Sequence, residues 1–129
     1  MAKKVIETGK FILPPGLPFS KGIKKGHHVY VSGTTSFNEK SEFVGQGDTY
    51  EQTQQTLKNV VAVVESAGGT IDDIVKVNVF LKSISDFEAM NRAYKELFGK
   101  GPYPARTTTE ANLAQERFLV ELDAEAIVE

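Results

Sequence analysis

Two side chains near the end of the chain, Arg106 and Glu121, have the types and spacing for acid–base work on a small anion. Their numbers sum to a turn centred between Leu113 and Ala114, so a symmetric antiparallel hairpin would set them directly opposite each other. Taken without context, the two form a cross-strand ion pair that fixes register and contributes roughly 0.2–1 kcal/mol. A second reading uses the same residues. Arg106 follows Pro104-Ala105 at the start of a strand, and its planar fork can take a carboxylate in two parallel hydrogen bonds, which a lysine does poorly. An acid at Glu121 beside it could then handle water.

The elements that must hold these residues follow from periodicity. A short strand near Val5-Ile6 leads into Phe11-Ile12-Leu13, and Pro14-Pro15-Gly16 with Pro18 makes residues 14 to 22 a loop. His27 to Ser32 reads as a strand stopped by Gly33, with Asn38-Glu39-Lys40-Ser41 as the turn of a hairpin or bulged return. Thr49 and Gln52 have capping-box spacing, and Thr53, Leu57, Val60, Val64 and Ala67 trace a helix over about residues 50 to 67 that Gly68-Gly69 ends. Val75, Val77, Val79 and Leu81 alternate with Lys76, Asn78, Phe80 and Lys82, the period of a strand. Ser85 with Glu88 repeats the capping box before a second helix whose stripe is Phe87, Met90, Tyr94, Leu97 and Phe98, up to Gly99. Beyond Gly101-Pro102-Tyr103-Pro104, residues 105 to 111 and the alternation of Phe118, Val120, Leu122, Ala124 and Ala126 predict two closing strands paired as a hairpin. The order predicts an α+β fold, a mixed β-sheet with two helices packed on one face. Phe80, Leu119 and Ile127 then fall on the uncovered face, where they favour cover by another subunit.

A length of 129 residues fits one domain spanning residues 1–129. The 15 Lys plus Arg against 17 Asp plus Glu give a net charge of -2, which argues against an obligate DNA binder. With no cysteine, disulfides, thiolate metal sites and a catalytic thiol are excluded. The basic N-terminus lacks the apolar segment of a secretory signal, and the longest aliphatic run, Val60 to Val64, is too short to span a bilayer. A soluble cytoplasmic protein without a membrane partner is expected.

Other features attract functional readings that physics weakens. His27 and His28 are neighbours in a strand, point to opposite faces and do not chelate one metal ion together. Lys21, Lys24 and Lys25 form a basic cluster that could meet phosphates, yet no stacking platform for RNA accompanies it. Gly68-Gly69 and Gly99-Lys100-Gly101 end helices and lack the spacing of a phosphate loop. The second helix's stripe, Phe87, Met90, Tyr94 and Leu97, fits core packing better than a cofactor wall, and Asn91 lies off it.

Across nearly its whole length the chain resembles the reactive intermediate deaminase family, also known as Rid, YjgF or L-PSP proteins. The resemblance rests on Val29-Tyr30-Val31-Ser32-Gly33, on Ala67-Gly68-Gly69-Thr70 through Val75-Lys76-Val77, and on Asp86-Phe87 with Met90-Asn91 and Tyr94. Pro104-Ala105-Arg106-Thr107-Thr108 and Val120-Glu121-Leu122 complete it. It implies a fold similar to chorismate mutase and a homotrimer with sites in the clefts between subunits. It further implies hydrolysis of enamines and imines of small 2-oxo acids, of the 2-iminobutanoate and 2-iminopropanoate type, to ammonia and the keto acid. Arg106 would hold the substrate carboxylate, Glu121 would position or activate water, and the Gly33 backbone and Asn91 would border the cleft. A protonated imine is already electrophilic, so this chemistry needs no metal or cofactor.

The resemblance has departures. Phe19 stands where the family pattern has a tyrosine, supplying a ring wall to the substrate but no hydroxyl. Leu113-Ala114 replaces a common Leu-Pro pair, and Lys21 replaces a polar amide. Ser32-Gly33-Thr34-Thr35-Ser36 with Phe43-Val44-Gly45 looks closer to a 2-aminomuconate deaminase branch. A non-catalytic or RNA-acting role, for which part of the family is named, is the alternative from another class.

Overall fold

Alternation along the chain becomes two faces of a sheet in the computed structural model, which describes residues 1–129. The elements are β1 (Lys4–Ile6), β2 (Gly22–Lys25), β3 (His28–Thr34), α1 (Thr49–Ser66), β4 (Ile74–Leu81), α2 (Phe87–Phe98), β5 (Ala105–Glu110) and β6 (Val120–Ile127). Single 3-10 turns at Ile71–Asp73 and Ile84–Asp86 lead into β4 and α2. The six strands lie in the order β1-β2-β3-β6-β4-β5. All neighbours are antiparallel except β4 and β5. Val77, Val79 and Leu81 of β4 and Val120, Leu122, Ala124 and Ala126 of β6 are buried in one core with Leu57, Val60, Val63 and Val64 of α1 and Met90 and Tyr94 of α2. Both helices therefore cover the same face. Phe80, Leu119 and Ile127 remain only partly buried, and no helix of the molecule is long and apolar enough to cross a membrane.

The expected C-terminal hairpin does not form. β6 runs between β3 and β4, and β5 pairs with β4 at the sheet edge, so no ladder joins β5 to β6. The burial pattern explains the order. Every second residue of β6 is fully buried, which suits a strand with neighbours on both sides, whereas β5 (Ala-Arg-Thr-Thr-Thr-Glu) has no buried residue and suits an edge. The helix α2 is the crossover that the parallel β4–β5 pair requires.

Two capping expectations shift by a residue or two. Asp48, not Thr49, caps α1 by accepting from the Glu51 amide at 3.1 Å. Ser83 caps the 3-10 turn before α2, whose own N-cap residue Asp86 makes no side-chain bond. The loop expected over residues 14 to 22 ends one residue early, because Gly22 opens β2. Glycine is required there: a Cβ would run into Val63 Cγ1 of α1.

Gln52, read from sequence as part of a cap, is instead a buried clamp. Its Nε2 donates to the carbonyls of Gly45 (2.9 Å) and Arg117 (3.0 Å), and its Oε1 accepts from the Leu119 amide at 2.9 Å. Three main-chain groups from two loops thus depend on one amide. Replacing Gln52 by alanine is expected to lower unfolding free energy by about 3 kcal/mol, because buried donors and acceptors lose their partners. Denaturant titration of the two chains checks this, and a change below about 0.5 kcal/mol would remove the clamp from the account.

Candidate functional site

Register decides where Arg106 and Glu121 point. Arg106 pairs with Val77, whose side chain faces the helices, while Glu121 pairs with Phe80 on the opposite face. With β4 between their strands, the two side chains lie on opposite faces of the sheet. The expected side-by-side pair is therefore absent within one chain, and the ion-pair reading falls with it. The chain's one ion pair within 4 Å joins Lys82 and Glu116 at 2.7 Å.

Glu121 sits beside a distortion of β3. The β3–β6 register shifts between Val31 and Thr34, and Gly33 at that bulge lies against the carboxylate. Glu121 and Gly33 line a cleft of about 540 Å3 whose wall includes Leu17, Phe19, Phe37 and Phe118. Burial in this apolar setting pushes the Glu121 carboxyl above its ordinary pKa, and the nearby Asp123 charge pushes the same way. Asp123 is itself held by Asn78 Nδ2 at 2.9 Å. An acid that is reluctant to ionise and faces a cleft is suited to proton transfer.

The loop that carries Phe19 is fastened from below. The Ser32 hydroxyl donates to the Ser20 carbonyl. Lys21 Nζ donates to the carbonyls of Thr8 and Phe11, each at 2.7 Å, and lies over the Phe11 ring at 4.7 Å. Lys24 Nζ donates to the Ala67 carbonyl at 3.1 Å. Two of the three lysines in the basic cluster are thus spent on main-chain oxygens. The histidines are likewise apart: His27 Nδ1 lies 2.9 Å from the Val128 carbonyl, and His28 stacks with Tyr30.

A Cβ placed on Gly33 would run into Glu121 Oε2, the far end of a movable side chain. The Gly33→Ala chain is therefore expected to fold with its melting temperature within a few degrees of the parent's, yet hold the carboxylate elsewhere. Activity falling more than about tenfold with the fold intact is the expected pair of results. Unchanged turnover would mean that the Glu121 position is not critical.

Arg106 occupies a second, smaller cavity of about 210 Å3, lined also by Asn91, Tyr94, Lys95, Tyr103 and Pro104. Its guanidinium rests on aromatic rings, 4.8 Å from the Tyr94 centroid and 5.6 Å from that of Phe87, with Nη1 3.7 Å from Met90 Sδ. This half-buried cation has no carboxylate partner in the chain. Such an environment holds the fork flat and leaves its donors for an incoming anion. The Tyr94 hydroxyl is buried with no hydrogen-bond partner, and burial pushes its pKa up to about 12 against the pull of Arg106. The α2 stripe thus does two jobs: Met90 and Tyr94 are core, and Tyr94 with Phe87 also cushions the arginine. Sequence reading assigned only the first; the remaining clue is a strand arginine whose neighbouring helix offers aromatic rings on one face.

Of the five residues singled out from sequence, the fold brings together Phe19, Gly33 and Glu121 in one cleft and Asn91 and Arg106 in the other. No cluster of three or more His, Cys, Asp or Glu side chains is arranged to hold a metal ion.

Comparison with known proteins adds an independent line. The family model described as Endoribonuclease L-PSP matches residues 12–128. A RutC family protein of Pyrococcus abyssi is 39% identical over 129 residues, the full length of both chains. A protein of Dermatophagoides farinae named 2-iminobutanoate/2-iminopropanoate deaminase is 34% identical over 127 residues, 98% of each chain. Among solved structures, E. coli TdcF with bound serine matches with a TM-score of 0.88 at 29% identity, covering 98% of this chain and 99% of that one.

Proposed function

The chain belongs to the endoribonuclease L-PSP family, the Rid or YjgF proteins, and from that premise we propose that it hydrolyses the imines, and through them the enamines, of small 2-oxo acids. An enamine first takes a proton on carbon to become the imine. The net reaction is R–C(=NH2+)–COO− plus water giving R–CO–COO− plus ammonium. Water adds to the imine carbon as the Glu121 carboxylate takes its first proton; that proton passes to nitrogen, ammonia leaves as the carbonyl forms and the hydroxyl proton returns to Glu121, which passes it on to give ammonium. Arg106 holds the substrate carboxylate in two parallel hydrogen bonds and fixes the carbon against the water.

A small substrate spans both groups only if Arg106 of one copy closes over the Glu121 cleft of another, since one chain holds them on opposite faces. The proposal therefore includes a ring of copies, a homotrimer, with each site built from two neighbours. The observation that carries the reading is Arg106 itself, half-buried on aromatic rings and without an anion. A relative named as an imine deaminase and another solved with serine, a molecule with a carboxylate beside a nitrogen-bearing carbon, support the substrate class. The tethering of Lys21 and Lys24 favours this reading over contact with RNA phosphates.

The test generates 2-iminobutanoate enzymatically and follows its decay with and without the protein. Acceleration by the parent chain that is lost in the Arg106→Ala chain is expected. Decay at the uncatalysed rate with the parent chain would end the proposal.

A further inference from the structure

The Glu121 cleft has more room, and more apolar wall, than a two-carbon side chain uses. Its volume, about 540 Å3, falls within the roughly 300–1,000 Å3 range of pockets that enclose drug-sized ligands. The floor is rigid: Phe37 and Phe118 are 4% and 6% exposed and meet edge-to-face at 6.1 Å. Phe43 stacks on Phe118 at 5.5 Å, and the Arg117 guanidinium caps Phe43 at 4.6 Å. The outer wall is different. Leu17 and Phe19 are 44% and 49% exposed in the single chain, so the outer wall of the cleft is apolar surface open to a substrate or a neighbouring copy.

Some polar groups on this wall are committed, while the Thr35 hydroxyl and the Gln115 amide nitrogen make no hydrogen bond within the chain. The Ser32 hydroxyl donates to Ser20, and Gln115 Oε1 accepts from Arg117 Nε at 2.8 Å. Glu121 is the charged group in the cleft. If the substrate carboxylate lies on a neighbouring copy's Arg106 and the reacting carbon beside Glu121, the substrate's side chain is the part left to meet Leu17, Phe19 and Phe118. A side chain bearing a carboxylate would lose its water beside the like charge of Glu121, whereas an apolar one gains from burial against Leu17, Phe19 and Phe118.

We propose that this site selects imines carrying bulky apolar side chains, those derived from leucine- and phenylalanine-like amino acids, over 2-iminobutanoate and over imines with a second carboxylate. The inference rests on the deaminase reading and refines it. Two further buried carbons, each worth about fourfold, set the expected advantage of the leucine-derived imine over 2-iminobutanoate at about tenfold or more in kcat/KM.

An amino-acid oxidase supplies each imine in situ, and keto-acid release is compared with the uncatalysed rate for the leucine-, phenylalanine- and glutamate-derived imines and for 2-iminobutanoate. The expected order places the first two above 2-iminobutanoate and the glutamate-derived imine last. The Leu17→Asn chain, altered at an exposed position, is expected to narrow the leucine-to-butanoate ratio at least threefold. Faster hydrolysis of 2-iminobutanoate than of the leucine-derived imine would overturn the inference while leaving the deaminase intact; it would mean that a neighbouring copy fills the apolar wall. Acceleration of no imine would remove the deaminase reading and this refinement with it.

Discussion

The Arg106→Ala chain is expected to hydrolyse 2-imino acids with kcat/KM lowered by about 10²–10³-fold, most of it as a raised KM. Removing one partner of a desolvated charge pair costs about 2–5 kcal/mol, and here the other partner is the substrate carboxylate. The fold should survive. Arg106 makes no ion pair in the chain, and its loss forfeits its contacts with Met90 and the Tyr94 and Phe87 rings, of which the cation–ring term is worth about 0.5–1 kcal/mol. The Arg106→Lys chain should recover only part of the loss, because an ammonium is a point charge and not a fork. Steady-state kinetics on folded protein checks both, and full activity in the lysine chain would replace bidentate binding with simple charge attraction.

The Glu121→Gln substitution is expected to leave KM nearly unchanged and lower kcat by about 10²–10⁴-fold, the usual worth of a positioned proton-transfer group. In the proposed reaction, the ionised carboxylate is the form that accepts the proton of water. Because burial and then Asp123 hold its pKa above 4.5, the acid limb of the rate profile should fall at a pH above that ordinary value. The Asp123→Asn chain, lacking the like charge, should move that limb toward lower pH.

The same shift has a consequence for stability with a definite sign. A carboxyl whose folded pKa is raised stabilises the fold when protonated, below the unfolded value, and that contribution is lost as pH rises through the folded value. At neutral pH the parent chain therefore carries a half-buried charge that glutamine does not. The Glu121→Gln chain should melt at a higher temperature than the parent at pH 7, with the difference shrinking below pH 4.5. A slower and more stable chain is the joint signature; a chain slower and less stable would point to structural damage instead.

Much of the scaffold was legible because its signals are periodic. The alternation through Val77, Val79 and Leu81 and the stripe through Met90 and Tyr94 each became an element with the expected buried face, but Val75, expected on that face, is exposed because a register shift between Ile74 and Lys76 buries Ile74 in its place. Strand order was not legible from the same signals. The hairpin expectation assumed that neighbours in sequence pair in space, and a βαβ crossover through α2 won instead. The needed clue lay in composition: the threonine-rich β5 belongs at an edge, and the fully alternating β6 between two partners. β2 escaped notice because Gly-Ile-Lys-Lys has one apolar side chain to alternate.

The candidate site was legible in its parts and not in its assembly. Residue type singled out Arg106 and Glu121, and resemblance added Phe19, Gly33 and Asn91, yet spacing along one chain implied a contact that the sheet forbids. The cushion of Tyr94 and Phe87 beneath Arg106 depends on which strand lies beside α2, and periodicity alone does not supply that. Nor does it give the Gly33 bulge, which exists because β3 loses register against β6.

The central claim is that Arg106 and Glu121 act on one substrate from two different copies of the chain. Co-refolding equal amounts of the Arg106→Ala and Glu121→Gln chains tests it, since each alone keeps about a hundredth or less of the parent's kcat/KM but a mixed ring juxtaposes an intact Arg106 with an intact Glu121 at some interfaces. With random mixing, about a quarter of the interfaces carry both, so activity should return to about a quarter of the parent's. Mixtures no more active than the two chains apart, in assemblies shown to contain both, would contradict the shared site.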